Sequence, residues 1–163
     1  MAKVFPGRMT HRHDGDLVVF LIGMRINRFW RPDKWIPAAL AMGPMLAELL
    51  RDPDSGLLGW RMGIGPRGPL LVQYWESHEK LYAYAGDAGR AHRPAWLAYY
   101  RRARNARGAV GVWHETYAVA HAESMYVAMP ASGLAAATSH VPVAASATHA
   151  RDRLADGRVG ARD

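Results

Sequence analysis

The stretch from Val110 to Val119 (VGVWHETYAV) constrains the fold of this chain more than any other. Valine and aromatic residues dominate it and no proline interrupts it, so it predicts one long β-strand. It also carries His114 and Glu115 in mid-run, where a buried strand avoids ionisable groups. Side chains alternate between the faces of a strand. Val110, Val112, His114 and Thr116 therefore share one face, and Trp113, Glu115 and Tyr117 share the other. His114 and Glu115 cannot pair with each other, and each needs a partner of its own.

A second run, Leu17 to Asn27 (LVVFLIGMRIN), predicts another strand. Its even positions, Val18 to Ile26, are all apolar and suit a face packed under helices. Its odd face turns polar toward the end, where Arg25 and Asn27 project one pleat apart and Gly23 leaves room. Asp33 is placed to cap a helix over 35–51, whose apolar face runs through Trp35, Ala39, Met42, Leu46 and Leu49. Pro44 predicts a kink in it near Leu40 or Ala41. Residues 57–64 and 69–76 read as two antiparallel strands joined by the turn at 65–68. Ser77 caps a short helix to about 85, another helix spans about 94–105, and Glu123 to Met129 reads as one more short extended piece.

The order is strand, helix, strand, strand, helix pair, strand. That predicts an α+β, ferredoxin-like split βαβ fold, with a four-stranded antiparallel sheet and helices on one face. The strands are apolar on both faces, so the uncovered face predicts a homodimer closed face to face into a dimeric α+β barrel. A pocket is then expected between sheet and helices or inside the barrel. Residues 1–16 read as a flexible arm, 17–143 as the domain, and 144–163 as a disordered tail of small and charged residues.

Composition narrows the function classes. The chain has 163 residues and no cysteine, which excludes disulfides, thiolate metal sites and a cysteine nucleophile. The polar start shows no signal sequence, and the longest apolar run, Leu17 to Ile22, is too short to span a bilayer, so a cytoplasmic protein away from membranes is expected. The net charge is +7, and Arg90, Arg93, Arg101, Arg102, Arg104 and Arg107 fall in one acid-free stretch. No nucleic-acid-binding signature accompanies them, so they read as a solvated helix face. There is no G-x-G-x-x-G, P-loop, G-x-S-x-G or paired-histidine zinc helix, and neither a nucleotide cofactor nor a metal is expected.

Five blocks, taken in order, resemble a known family: Arg25 to Trp35 (RINRFWRPDKW), Ser55 to Gly59 (SGLLG), Leu71 to Trp75 (LVQYW), His92 to Trp96 (HRPAW) and Val112 to Tyr117 (VWHETY). The family is that of the fumagillin-pathway-type monooxygenases, a branch of the dimeric α+β barrel superfamily. The likeness covers about residues 17–134. It implies the barrel fold and a place in secondary metabolism. Superfamily members include cofactor-free oxygenases, haem oxygenases, aldoxime dehydratases and simple ligand binders, so fold alone does not name the reaction. His78 stands where the resemblance leads one to expect an aromatic residue.

The candidate catalytic residues are His114, Glu115, Arg25 and Asn27. His114 is read as a general base, with Arg25 and Asn27 as donors to an oxyanion. Glu115 is read as paired with Arg25 or Arg61 across the sheet, or as orienting a base. Trp30, Tyr74, Trp113, Tyr117 and Arg61 are the expected pocket residues. The leading reading is a monooxygenase-like oxidoreductase acting on an apolar or aromatic small molecule without a cofactor. The alternative is a haem enzyme, an oxygenase or aldoxime-type dehydratase, with His114, His92 or His78 as axial ligand. A third reading is a non-catalytic dimer that binds a small molecule. The histidines at 11, 13, 121, 140 and 149 are expected to be solvated.

Overall fold

In the computed structural model, residues 2–87, 94, 97 and 108–156 are described. Strand β1 (Phe5–Arg12) opens the chain, followed by β2 (Val18–Ile26), helix α1 (Pro32–Arg51), β3 (Leu57–Gly65), β4 (Gly68–Trp75) and α2 (His78–Gly86). Strand β5 (Val110–Ala118), β6 (Tyr126–Met129), α3 (Gly133–Ala137), β7 (Ser139–Pro142) and α4 (Ala150–Asp156) complete it.

The four expected strands form one antiparallel sheet in the order β3-β4-β2-β5. This is the ferredoxin-like arrangement, in which the first and third strands of the split βαβ unit lie side by side in the centre. Register fixes the two faces, because residues directly opposite each other point the same way. Trp75, Val18 and Ala118 form one row, Gln73, Phe20 and Thr116 the next, and Leu71, Ile22 and His114 the third. This face lies under α1 and α2. Val18, Leu49, Trp75, Leu81 and Tyr84 form its core, with Phe20 and Leu57 packed against them.

Ser77 caps α2 as its position predicts, its hydroxyl accepting from the backbone N–H of Lys80 at 3.2 Å. The other expected cap differs. Helix α1 starts at Pro32 with Arg31 at the N-cap, and Asp33 lies inside the first turn. Proline fits that entry because its missing N–H is an orphan there in any case. Asp33 instead binds Arg31, at 2.8 and 2.9 Å, and that bond holds its carboxyl down at about 2. Helix α1 runs through both Pro37 and Pro44, and among its twenty residues Leu49 alone is buried. The backbone carbonyls of Asp33 and Leu40 lose their usual donors four residues on.

The ends of the chain correct the expectations for both. The arm expected at 1–16 contains β1, and the tail expected from residue 144 contains a 3₁₀ turn at Ala145–Ala147 and helix α4. Strand β1 is the middle of a second antiparallel sheet of order β6-β1-β7. Pro6 and Gly7 fall where its register with β6 shifts, which is how β1 tolerates them. Arg153 of α4 is buried against the carboxylate of Glu123 and the carbonyls of Ala147 and Thr148. A lone buried arginine is costly, and this set of acceptors meets that cost.

These additions also cover part of the second face of the main sheet. Leu17, Tyr74, Ala122, Leu134 and Ala137 form a core there. Helix α3 approaches so closely that a Cβ on Gly59 would lie 2.7 Å from that of Ala137. The second face is therefore left open toward β5 and at Arg61 and Gly63 of β3. No helix among the described residues is long and apolar enough to cross a membrane.

Candidate functional site

Between the sheet and its helices runs a narrow apolar cleft. One chamber, of about 40 Å³, is lined by Phe20, Ile22, Met42, Met45, Leu46 and Leu49, with Gln73, Trp75, Leu81, Tyr84 and Ala85. The next, of about 80 Å³, is lined by Met24, Ala38, Ala39, Met62, Leu71 and Val112 among others. Ile22 and Met42 line both chambers. The alternation of β2 produces this floor, since its even residues all point to the helices. Helix α1 supplies the roof with the small residues Ala38 and Ala39 and the flexible Met42 and Met45.

Polar groups in the cleft are few. Gln73 is 5 % exposed, and its side-chain oxygen accepts from the indole N–H of Trp75 at 3.1 Å. The hydroxyl of Tyr84 lies 3.4 Å from both the Met45 carbonyl and a carboxylate oxygen of Glu48, to which it donates. His114 stands at the rim: it is the cross-strand neighbour of Ile22, and its ring lies 5.7 Å from that of Phe20. Its side chain is exposed and does not line either chamber.

The other expected site residues lie elsewhere. Arg25, Asn27, Glu115, Trp113 and Tyr117 are on the opposite face of the sheet from His114, as their register with β2 requires. His114 cannot act on the same atom as Arg25 and Asn27 within one subunit. The guanidinium Nε of Arg25 donates to the Asn27 side-chain oxygen at 3.0 Å, and the Asn27 amide donates to the Gly108 carbonyl. The expected pairing of Glu115 with Arg25 or Arg61 is not made. Arg25 lies opposite Gly111, four residues along β5, roughly 13 Å from Glu115. Arg61 shares its row, but Val72 and Leu21 intervene, which places it ~14 Å away. Glu115 instead accepts from the Tyr117 hydroxyl at 2.7 Å, and that bond raises the pKa of the phenol.

Trp113 lies across Gly23 on this open face and is 39 % exposed. Tyr74, expected in the pocket, is buried under α3, and burial raises the pKa of its hydroxyl. Trp30 is 74 % exposed in the loop before α1. His78 is at the start of α2, its ring beside that of Tyr82. His92 and the arginines from Arg90 to Arg107 lie outside the described residues. Two of the histidines expected to be solvated are not: His11 is half-buried with its Nδ1 2.8 Å from the Ser124 hydroxyl, and both ring nitrogens of His140 are buried without a hydrogen-bond partner, between Phe5 and Tyr126.

Sequence reasoning missed Gln73 and Tyr84. Gln73 was discoverable by the logic applied to His114, since it is the one polar side chain in the apolar run Pro69 to Trp75. Tyr84 carries no such signal, because an aromatic residue on a short helix is ordinary core.

The described residues do not fit a haem. No described histidine lines the cleft, so none is placed there to ligate an iron. Among the described residues no cluster of histidine and carboxylate side chains has the arrangement of a metal site. A larger hollow, of about 440 Å³, lies by the second sheet among His11, Arg12, His13, Asp14 and Arg153. It is polar and open, and Arg153 is already committed to Glu123.

No curated protein matches the chain. Among solved structures, a conserved protein of Bacteroides thetaiotaomicron is 12 % identical over 64 % of this chain and 99 % of its own, with a TM-score of 0.48. SnoaB, a cofactor-independent oxygenase from Streptomyces nogalater, is 13 % identical over 64 % of this chain and 94 % of its own, with a TM-score of 0.46. A dimeric protein of ferredoxin-like fold from Bacteroides fragilis is 11 % identical over 63 % and 96 %, with a TM-score of 0.43. Likenesses this distant say nothing of the activity of this chain. The family comparison is different in kind: the model of the monooxygenase af470-like family matches residues 17–134, from strand β2 through the first two residues of α3, and the chain belongs to that family.

Proposed function

We propose that this chain is a monooxygenase-type oxidoreductase whose substrate is an apolar or aromatic small molecule held between the sheet and helices α1 and α2. The observation that carries the reading is the cleft itself, an apolar chamber in a member of a monooxygenase family. Its present volume suits no ligand of that size. Four of the eight methionines, Met24, Met42, Met45 and Met62, line it, and unbranched thioether side chains repack readily around a guest. Leu49 is the one fully buried residue of the roof helix.

In a cofactor-free route the substrate itself must reduce dioxygen. The balanced reaction takes a CH₂ group flanked by conjugated rings, and O₂, to a ketone and water. Its first step is loss of a proton from carbon, which leaves the electron pair spread over the conjugated system. His114, at the cleft rim beside Ile22, is the proton acceptor in this reading. Arg25, Asn27, Glu115, Trp113 and Tyr117 belong to a different task. They lie on the exposed part of the sheet's second face, and we assign that part to the contact with a second copy in a homodimer.

The test is oxygen transfer. The purified protein is incubated under ¹⁸O₂ with a panel of polycyclic phenols that carry an acidic CH₂. One labelled oxygen is expected in the product, with the turnover lost in Ala39→Trp, which fills the cleft from α1. Absence of label across the panel, or label that Ala39→Trp leaves unchanged, overturns the reading. His114→Ala is expected to slow turnover ~10²-fold or more while leaving ligand binding intact.

A further inference from the structure

We infer that the side-chain amide of Gln73 is the donor that receives an oxygen atom of the ligand, so that the cleft selects an apolar molecule bearing an aromatic ketone or phenolate oxygen. The inference rests on the reading of the cleft as the substrate site.

Gln73 sits in β4, a central strand, and points to the helix side between Phe20 and Trp60. Such a position favours an apolar residue, and a glutamine held there must be answered by partners. Its first partner fixes which way the amide faces. An indole N–H can only donate, so the atom that Trp75 Nε1 meets at 3.1 Å must be the oxygen. The amide therefore cannot be turned round, and its nitrogen points away from Trp75. Trp75 is 1 % exposed and is the largest fully buried side chain among the described residues, so this anchor is rigid.

The nitrogen is left with two N–H groups and no acceptor among the described residues. It is also not sealed in the protein. The only described side-chain nitrogen or oxygen atoms both sealed and unpartnered are those of His140. The Gln73 nitrogen thus keeps contact with open space, and the space at Gln73 is the first chamber of the cleft. The competing donor in that chamber, the Tyr84 hydroxyl, is already directed at the Met45 carbonyl and Glu48. The remaining lining is hydrocarbon, the thioethers of Met42 and Met45, and the Trp75 indole.

A ligand in this chamber meets one oriented pair of donors in a dry apolar wall. A bare hydrocarbon would leave that pair unmet once water is expelled, whereas a carbonyl or phenolate oxygen satisfies it. The same donors would bind more strongly as negative charge builds on that oxygen during proton loss, since preorganised dipoles act most on developing charge. Gln73 is then the oxygen-binding and positioning residue on the helix side, a role that Arg25 and Asn27 cannot fill from the other face.

The test uses a matched pair of probes, 1-indanone and indane, which differ by one carbonyl oxygen. Binding is followed by quenching of tryptophan fluorescence. The wild-type protein is expected to bind 1-indanone ~3- to 10-fold tighter than indane, the worth of a neutral hydrogen bond. The carbonyl stretch of bound 1-indanone is expected to move to lower frequency. In Gln73→Met, which removes the donors, the preference and the frequency shift are both expected to vanish while indane affinity holds. Equal affinity of the wild type for the two probes, without a frequency shift, overturns the role of Gln73 and leaves the cleft standing. A ketone preference that survives in Gln73→Met also overturns it. Failure of both probes to bind removes the cleft reading, and this inference with it.

Discussion

The indole of Trp113 lies flat over Gly23 of the neighbouring strand, so closely that a Cβ on Gly23 would sit 2.5 Å from ring atom Cε2. Real Cβ atoms do not approach this near, so the glycine is a cradle for the ring. Gly23→Ala must push the indole off the sheet. The expected cost is about 1–3 kcal/mol in urea unfolding, with a changed near-ultraviolet circular dichroism signal. Unaltered stability and an unaltered signal would show that the ring does not rest there in solution.

A second prediction concerns the open-face pair two residues apart on β5. The Tyr117 hydroxyl donates to the Glu115 carboxylate, and this bond is what lifts the phenol above its usual range. Removing the negative acceptor makes the phenol easier to ionise. Glu115→Gln is expected to bring the Tyr117 titration back toward 10, read as tyrosinate absorbance with Tyr117→Phe as the blank. An unchanged titration would mean that the two side chains do not meet.

Helix α1 should respond unevenly to truncation. Leu49 is 3 % exposed in the core with Val18, Trp75 and Tyr84, whereas Leu40, about two and a half turns nearer the start, is 69 % exposed. Leu49→Ala is expected to cost about 2–5 kcal/mol and Leu40→Ala less than about 0.5. Equal costs in urea unfolding would contradict the difference in burial between the two leucines.

How much of this was readable in the chain differs by element. The four-stranded sheet was legible because its strands alternate or run apolar without proline, and because Gly65-Pro66-Arg67-Gly68 closes a hairpin. The division of the site was legible in part. Period-two alternation already separates His114 from Glu115, but which of them faces Arg25 depends on register, and register is a contact between distant segments. The second sheet was legible only at β6, which falls within the extended piece expected over 123–129. Strand β7 is four residues long and β1 contains Pro6 and Gly7, so local propensity argues against both. They form because they pair with each other across the whole length of the chain. Tyr74 was misplaced for the same reason, since nothing local announces that α3 returns to cover it.

The second sheet also carries a pH response. The ring nitrogen Nδ1 of His11 lies 2.8 Å from the Ser124 hydroxyl, and burial lowers its pKa below the ordinary 6.5, with His13 adding to the effect. The folded state therefore binds the proton less readily than the unfolded chain. The stability linked to His11 is full above pH 6.5 and is lost as pH falls through the lowered folded value. Melting temperature is expected to fall on acidification from pH 7.5 to 5.5, with a shallower slope in His11→Gln. Parallel slopes for the two proteins would exclude His11 as the group responsible.

Strand β1 stands between β6 and β7 and pairs with each, although those partners are more than a hundred residues further along. Trimming the protein back to the family boundary at residue 17 would remove the central stave and leave two orphaned flanks. Each would then present an unpaired row of backbone groups to any neighbouring chain. A minimal version of this chain is therefore expected to clump, and the first dozen residues act as its safeguard against that.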